Sequence, residues 1–389
     1  MKYDISFWNY MPIGYKNELE AVAEWRDAGI TTPMTFEFNP EKHNKEEMLR
    51  LLDACEQAGM KAIVCDARTR FQRLKNLGEK AFKEGVLQAM ADFGSHPAVF
   101  GFHVGDEPDK NSWEIAISAF RTVAAAAPHL THFINMFPAW EEPNFREMLG
   151  VDPEHYADIL IDFVKRSDAK IISFDSYGQC AYLNKEYYQG VHIKNFKIFG
   201  EVARVTKARL FVSLLSVGHW GYRVPTKDDI RWQIYTAVAH GVSGIHWFSF
   251  YQGRLDGNYR ENPIDLFGNR TQTFNDISYE NRVFMQYFAK ELSGCTFLDV
   301  SYFGRPQGGY PVFHTDEVLR EISVVVNETS VAVTRWKDGE GNPVYTFVNT
   351  DRNFPTKLRL KFDGVLAPRC RDVWIVPGQM VYIDKNKMI

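Results

Sequence analysis

Two acidic side chains directly follow a short apolar run in the segment GFHVGDEP at residues 101–108. The run is typical of a buried strand, and Pro108 ends it because proline supplies no backbone N–H for sheet pairing. A carboxyl group in this partly apolar position, beside a second one, should have a raised pKa through desolvation and like-charge repulsion. A general acid working near neutral pH needs such a pKa, so we interpret Glu107 as a general acid. The alternative is that Glu107 or Asp106 caps the following helix.

Other apolar runs also end in polar or aromatic side chains, among which carboxylates and aromatic rings dominate. Glycoside hydrolysis needs two carboxyl groups, one as acid and one as nucleophile or base. Aromatic rings stack on the apolar faces of sugars, although they pack protein cores equally well. The pattern therefore favours carboxylate chemistry on a neutral, polyhydroxylated substrate. The residues at the candidate strand ends are Trp8, Asn9, Tyr10, Glu37, Asn39, Asp66, Arg68, His103, Asp106, Glu107, Asn135, Asp175, Tyr177, Ser216, His219, Trp220, Trp247, Ser249 and Tyr251.

Motifs of other hydrolytic and carbonyl chemistries are missing from the sequence. No HExxH spacing occurs, so we expect no catalytic metal and no other cofactor. No GxSxG elbow occurs, which argues against a serine hydrolase, and no predicted strand ends in the lysine that Schiff-base chemistry uses. The five cysteines are odd in number and include no CxxC pair, which argues against a disulfide framework and a zinc ribbon.

The elements that must position these residues alternate between short β-rich runs and longer amphipathic stretches up to about residue 295. Helical patterns over residues 17–28 and 45–58 end at Gly29 and Gly59, which are typical helix stops. Eight βα units, without a Gly-rich phosphate turn after the first strand, predict a (β/α)8 TIM barrel over residues 1–295 rather than an open doubly wound sheet. Barrel active sites lie at the carboxyl ends of the strands. The predicted strands cover residues 5–10, 32–38, 61–66, 99–105, 131–137, 171–177, 210–216 and 244–251.

Residues 296–389 have a different character. Short strand-like runs alternate with turn clusters such as DGEGNP at residues 338–343, which predicts a C-terminal antiparallel β-sandwich domain. We expect this domain to pack against the barrel, with glycan binding through Trp336 or Trp374 as an alternative role. Its predicted strands cover residues 322–327, 331–336, 344–349, 358–362, 373–376 and 380–383.

The tetrapeptide GDEP at residues 105–108 resembles the Asn-Glu-Pro segment that carries the acid/base of clan A glycoside hydrolases, such as family 42 β-galactosidases. The second predicted strand, the segment SFDSY at residues 173–177 and the loop PIDLFGNRT at residues 263–271 are similar to uncharacterised bacterial relatives of that group. The resemblance covers most of residues 1–295 and includes a C-terminal β domain. It implies a glycosidase barrel in which Glu107 is the acid/base.

The sequence departs from the clan pattern in two places. The clan has Asn before the acid/base, and Asp106 stands there in this chain. The clan also has a nucleophilic Glu at the end of the seventh strand, where the segment FVSLLSVGHW at residues 211–220 contains no carboxylate. The clan's nucleophile therefore has no counterpart in this region.

We interpret Asp175 as the second catalytic carboxylate, because it ends a strand two positions round the barrel from Glu107 and can face it across the mouth. Tyr177 should point to the same side, since alternate strand residues share a face. Asp175 can alternatively bind a sugar hydroxyl or anchor a loop. The other candidates for the second carboxylate are Glu37, Asp66 and Glu261.

The remaining strand-end side chains are candidates for substrate binding. The aromatic members are candidates for a sugar-stacking platform, with packing in the barrel core or rim as the alternative. His103 can equally be a satisfied histidine inside the barrel. The predicted binding residues are Trp8, Asn9, Glu37, Asp66, His103, Asp106, Asn135, Tyr177, His219, Trp220, Trp247 and Tyr251.

The leading functional hypothesis is a hydrolase that cleaves the O-glycosidic bond of an oligosaccharide or another glycoside. The alternative, which the missing strand-seven carboxylate motivates, is a non-catalytic glycan-binding barrel. A lyase or isomerase acting on a free sugar is a third interpretation that no lysine base or metal-ligand cluster supports.

Bulk composition limits the partners. A net charge of −4 gives no electrostatic reason to expect a nucleic acid or an anionic membrane surface. No stretch of 18 apolar residues predicts a membrane span. The start MKYD lacks an apolar signal segment, so we expect a cytoplasmic protein, or a bacterial periplasmic or cell-surface one if an export signal has been removed. The oligomeric state has no signature in the sequence.

Overall fold

The barrel sheet contains seven parallel strands in the order β1-β7-β6-β5-β4-β3-β2. The structure is a computed structural model that describes residues 2–141, 144–183, 185–253, 256–364, 366 and 370–389. Each strand is short and almost entirely buried, as expected for a parallel sheet with helices on its outer face. The strands are β1 (Asp4–Phe7), β2 (Ala62–Val64), β3 (Val99–Asp106), β4 (Phe133–Met136), β5 (Ile171–Asp175), β6 (Arg209–Leu215) and β7 (Gly244–Phe248).

The predicted second strand, residues 32–38, lies between β1 and β2 but pairs irregularly. The Thr32 N–H donates to the Ile5 carbonyl at 2.9 Å, and the Phe38 N–H donates to the Cys65 carbonyl at 2.8 Å. Pro33 supplies no N–H, so a continuous ladder cannot form through it. The segment therefore closes the sheet through isolated bridges. The predicted TIM-barrel architecture is confirmed, with an irregular strand at the second of its eight positions.

Helices cover the outside of the barrel. Gly29 and Gly59 end the first two helices with φ of +74° and +71°, the left-handed conformation in which glycine carries no Cβ penalty. Among the described residues, no helix is both long enough and apolar enough to span a bilayer. The helices are α1 (Glu18–Asp27), α2 (Lys45–Gln57), α3 (Phe71–Leu77), α4 (Glu79–Ala89), α5 (Trp113–Ala126), α6 (Asn144–Leu149), α7 (Tyr156–Ser167), α8 (Lys185–Thr206), α9 (Lys227–Ala239), α10 (Gln272–Val283) and α11 (Lys290–Leu292).

Two antiparallel sheets follow the barrel, in agreement with the predicted C-terminal β-sandwich. One has the strand order β14-β11-β10-β8 and the other β13-β12-β9. A separate apolar cluster, which includes Phe347, Leu360 and Ile375, fills the space between them. The strands are β8 (Thr296–Gly304), β9 (Leu319–Val326), β10 (Ser330–Lys337), β11 (Pro343–Asn349), β12 (Thr356–Phe362), β13 (Cys370–Ile375) and β14 (Met380–Ile383).

The four-stranded C-terminal sheet packs directly on the barrel. Trp336 and Val348 belong to the same continuous apolar cluster as the barrel helices. The Thr334 hydroxyl donates to the carbonyl of Ala239, the last residue of α9, at 2.8 Å. On the same helix, the Trp232 indole N–H donates to the Thr350 carbonyl at 3.0 Å. The outer face of α9 is therefore covered by the second sheet system rather than by solvent.

Candidate active site

A cavity of about 510 Å³ opens at the carboxyl ends of the barrel strands. Residues that follow β1, β3, β4, β5, β6 and β7 all contribute to its wall. Its lining combines three clustered carboxylates with a large number of aromatic rings. The lining residues are Trp8, Tyr10, Asp106, Glu107, Asn135, Pro138, Ala139, Trp140, Glu141, Asp175, Ser176, Tyr177, Gly178, Tyr187, Tyr188, Val191, His219, Trp220, Tyr222, Phe248 and Tyr259.

The carboxylates of Asp106, Glu107 and Asp175 form one cluster at the ends of β3 and β5. The side chains of Glu107 and Asp175 are hydrogen-bonded to each other. The Asn135 amide, at the end of β4 between them, donates to Asp175 Oδ1 at 3.1 Å and to Asp106 Oδ1 at 3.3 Å. The Ser173 hydroxyl donates to Asn135 Oδ1 at 2.9 Å and fixes the orientation of the amide. Three neighbouring strands thus hold three acids in one hydrogen-bond network.

Burial raises the pKa of every carboxyl group in this cluster, and repulsion by neighbouring carboxylates adds to the shift of Glu107 and Asp106. Desolvation, followed by the charges of Asp175 and Asp106, holds the pKa of Glu107 far above its ordinary range. Desolvation and the charge of Asp175 raise the pKa of Asp106 to about 7, although the Asn135 amide opposes this shift. Desolvation also raises the pKa of Asp175, against hydrogen bonds from Glu107, Asn135 and Tyr177 that favour its ionised form. Glu107 therefore retains the proton of the pair, and Asp175 accepts from it.

The backbone at Glu107 is held in a conformation that side-chain-bearing residues rarely adopt. Its φ is +46°, in the left-handed region. The Glu107 N–H donates to the Asn135 carbonyl at 2.9 Å, which ties the turn after β3 to β4. Strained positions of this kind concentrate at functional sites, where the surrounding structure enforces them.

Aromatic side chains from separate loops form the cavity walls. The Trp8 indole N–H donates to Ser213 Oγ at 2.8 Å, and Tyr10 stacks on the Trp8 ring with centroids 6.0 Å apart. The His219 ring stacks on Tyr259 at 5.2 Å. Trp220 stands at the rim with 70% of its surface exposed, on a backbone with φ of +44°. An exposed tryptophan held in this way offers a flat apolar face to solvent.

The structure brings eight of the predicted site residues together at this cavity. These are the two proposed catalytic carboxylates and six of the proposed binding residues. They are Glu107, Asp175, Trp8, Asp106, Asn135, Tyr177, His219 and Trp220.

Three polar residues predicted at the site lie elsewhere. Asp66 is fully buried in an ion pair with Arg68 at 2.8 Å, so its charge is already compensated. His103 points into the barrel, where its Nε2 contacts the Gly105 carbonyl at 2.9 Å. Glu37 is exposed on a neighbouring shallow depression. We therefore do not include these residues in the candidate site.

Three further predicted binding residues also lie outside the cavity. The Asn9 side chain accepts from the Met11 N–H at 3.1 Å and shapes the turn after β1. The Trp247 ring is completely buried on the helix side of β7, with its indole N–H on Asn281 Oδ1 at 3.2 Å. The Tyr251 hydroxyl donates to Glu24 at 3.1 Å in the core beneath α1. These three side chains serve packing and local structure.

Several aromatic lining residues were not predicted from the sequence. Trp140 follows β4, whereas Tyr187 and Tyr188 lie near the start of α8. Phe248 ends β7 and faces the cavity, and Tyr222 lies in the loop after β6. The adjacent pair Tyr187 and Tyr188, at the start of a long helix, is the one feature of the sequence from which this aromatic part of the cavity lining could have been predicted.

Within the described part of the chain, one group of side chains has the spacing of a metal site. Asp53, Glu56 and His96 lie together near α2 on the surface, with His96 Nε2 3.1 Å from Asp53 Oδ1. None of the three lines the cavity.

The fold is similar to those of solved barrel glycosidases. A β-galactosidase from the psychrophilic Marinomonas ef1 aligns with a TM-score of 0.55 and 12% identity over 75% of this chain and 61% of that chain. The endo-β-1,4-mannanase from Thermotoga petrophila aligns with a TM-score of 0.53 and 10% identity over 96% of this chain and 97% of that chain. A β-galactosidase from the haloarchaeon Halorubrum lacusprofundi gives a TM-score of 0.54 and 12% identity, covering 77% of this chain and 60% of that chain.

These likenesses establish the fold, a TIM barrel of the kind found in several glycosidases, and they do not single out family 42. The chain spans about three fifths of the two β-galactosidases that it resembles. No protein-family model and no curated protein sequence matches the chain.

Proposed function

We propose that this protein is a glycoside hydrolase in which Glu107 is the general acid/base and Asp175 is the second carboxylate. The observation that carries the proposal is the hydrogen-bonded carboxyl pair at the bottom of a cavity walled by aromatic rings. A pair with one shared proton supplies both an acid and an anion near neutral pH. Glycosidic bond cleavage requires these two groups together.

The role of acid falls to Glu107 because its environment favours the protonated form most strongly. It lies beside two other carboxyl groups in a largely buried position. Proton donation to the leaving oxygen leaves Glu107 as a second carboxylate beside Asp175, and the resulting repulsion favours the recovery of a proton from water in the next step. Asn135 and Tyr177 donate hydrogen bonds to Asp175 and favour its ionised form.

The cavity walls fit a carbohydrate. Tyr10 and Trp220, which are both exposed, present ring faces that suit the C–H faces of pyranose rings. Solved relatives in fold include β-galactosidases and an endo-β-1,4-mannanase, so β-linked hexosides form the first substrate panel.

The test is the hydrolysis of aryl β-hexosides and oligosaccharides by the wild type and by Glu107→Gln. We expect the variant to lose at least about 100-fold in kcat on substrates with poor leaving groups, because the amide cannot donate the proton. Aryl substrates with activated leaving groups should be affected less in the bond-breaking step. Glu114→Gln is the matched control, since Glu114 lies on the exposed face of α5. Equal activity of Glu107→Gln and the wild type would refute the assignment.

One observation favours a second function, that of a glycan-binding barrel without catalysis. The segment after β6 that lines the cavity, residues 216–222, contains no carboxylate. Under this alternative, calorimetry would detect saturable oligosaccharide binding, while prolonged incubation would release no reducing sugar. Turnover that depends on Glu107 excludes it.

A further inference from the structure

A second cavity, of about 690 Å³, adjoins the candidate active site beside α8. The two cavities share three lining residues, Glu141, Tyr187 and Val191. The Tyr187 side chain is 39% exposed where they meet, and its hydroxyl accepts from the Glu141 N–H at 3.3 Å. A ligand that fills the active-site cavity and extends past Tyr187 therefore enters the second cavity. We call this cavity, between residues 186–201 of α8 and residues 153–154 and 308–309, the α8 groove.

The α8 groove follows one face of the helix. Its lining positions on α8 recur every three to four residues from Glu186 to Glu201, as residues on one face of a helix do. At ~1.5 Å per residue, the helix rises about 22 Å between these two positions. The groove therefore extends well beyond the length of a single sugar unit.

The C-terminal domain supplies part of the opposite wall of the groove. Residues 308–309 lie in the loop between β8 and β9 and face α8 across it. The loop is fixed to the helix, because the Gln189 side-chain amide donates to Gln307 Oε1 at 3.2 Å and to the Thr350 carbonyl at 3.0 Å. The width of the groove is therefore set by contacts between the barrel and the second domain.

Gly190 keeps the floor of the groove open. It lies inside α8 and lines the groove. Glycine is unfavourable within a helix because it loses more conformational freedom on folding than any other residue. A Cβ at this position would meet no described atom within 4 Å outside the helix backbone, so packing does not require glycine here. Its presence lets a ligand approach the helix backbone closely.

The side chains along the groove suit a neutral, hydroxylated chain. Glu186 and Lys194 are exposed and offer a hydrogen-bond acceptor and donor, while the Tyr187 ring offers an apolar face for the C–H groups of a sugar. Acidic and basic side chains both occur on this wall. This mixture gives a polymer of one charge sign no electrostatic advantage over a neutral chain.

We propose that the substrate is a neutral oligosaccharide or polysaccharide chain that places the bond to be cleaved in the active-site cavity and several further sugar units in the α8 groove. This inference rests on the proposed hydrolase function and specifies the size of its substrate. The groove binds and positions the chain and does not itself take part in bond cleavage. Binding of the remote units holds the reacting bond at Glu107, which raises kcat/KM.

The first experiment measures kcat/KM for β-1,4-linked mannose, galactose and glucose oligosaccharides, each as the di-, tetra- and hexasaccharide. For the preferred sugar we expect a rise of at least about tenfold from the disaccharide to the hexasaccharide, because only the longer chains reach into the groove. A flat profile, or hydrolysis of aryl glycosides alone, in each case abolished by Glu107→Gln, would overturn this inference and leave the proposed function standing. Hydrolysis of neither aryl glycosides nor oligosaccharides would overturn both.

The second experiment fills the groove. Gly190→Phe places a ring in the open space beside α8, and the control Val205→Phe places the same ring on an exposed part of the same helix outside both cavities. We expect Gly190→Phe to lose the advantage of the hexasaccharide, while kcat/KM for the 4-nitrophenyl β-hexoside and the melting temperature stay those of the wild type. Gly190→Gln, with a smaller and more flexible side chain, should lose part of the advantage.

Val205→Phe should match the wild type on every substrate. An advantage of the hexasaccharide that survives in both Gly190 variants would overturn the inference, because the longer chain would then bind elsewhere. The same conclusion would follow if Val205→Phe lost the advantage to the same extent, or if the Gly190 variants lost aryl glycoside and hexasaccharide hydrolysis equally.

Discussion

Removing the charge of Asp106 should stabilise the protein, and increasingly so as the pH rises. Burial and the charge of Asp175 raise its pKa from 3.8 to about 7. A group whose pKa is raised on folding contributes stability below its unfolded pKa, and this contribution is lost as the pH rises through the folded pKa. The wild type therefore loses stability at this position between about pH 4 and pH 7.

The size of this change in stability follows from the pKa shift of Asp106. About three pKa units correspond to roughly 4 kcal/mol. Asp106 keeps some contact with solvent, and its neighbours in the cluster can hold the proton in its place, so we expect about half of this, near 2 kcal/mol. Asp106→Asn keeps an oxygen that accepts the hydrogen bond from Asn135 at 3.3 Å, so the substitution removes the charge and leaves this hydrogen bond in place.

The assay is urea unfolding of the wild type and Asp106→Asn at pH 5 and pH 8. Part of the effect is already present at pH 5, so the variant's advantage in free energy of unfolding should be about 1.3 kcal/mol larger at pH 8 than at pH 5. Asp158→Asn, at an exposed carboxylate on α7, should show no such growth with pH. An advantage for Asp106→Asn that is constant, or larger at pH 5, would refute the argument that the cluster is electrostatically strained.

Three other predictions follow from single contacts. Trp220→Asn, which tolerates the left-handed backbone, should raise KM about five- to tenfold through lost stacking while leaving kcat and the melting temperature unchanged; an unchanged KM would exclude the platform role. Gly101→Ala should destabilise by at least about 3 kcal/mol in thermal unfolding, because its Cβ would lie 1.9 Å from a backbone carbonyl leading into β4, and a soluble variant of normal stability would contradict this. Trp232→Phe should cost only about 1 kcal/mol in urea unfolding, since the Thr350 carbonyl keeps a second donor, Gln189, and a loss above about 3 kcal/mol would contradict it.

The sequence predicts most of the barrel because its strands are apolar runs bounded by helix stops. It does not show that residues 32–38 pair irregularly, since that depends on which neighbours the segment meets. The strand β8 (Thr296–Gly304) was also missed. Its half-exposed residues give no continuous apolar run, and it is recognisable only through its pairing with β10.

For the site, the sequence predicts which residues lie at the strand ends. It predicts only in part which of their side chains point into the cavity. Asp175 and Tyr177 share a face, as the period of two requires. In β7 the same period points His246 and Phe248 into the barrel and Trp247 outwards to α10. Predicting which residues point inwards needs the exact position of the strand in the sequence. The hydrogen bond between Glu107 and Asp175 depends on the distance between β3 and β5, which no sequence spacing encodes.

The C-terminal sheet covers α9 but is synthesised after it. This order affects folding while the chain leaves the ribosome. Helix α9 ends at Ala239, but two of the contacts that cover it come from Thr334 and Thr350, about a hundred residues later. At about 5 to 20 residues per second, that apolar flank waits on the order of 5 to 20 seconds for its cover. During this interval that flank of α9 has no cover from the C-terminal sheet, and it is buried once the last strands emerge and dock.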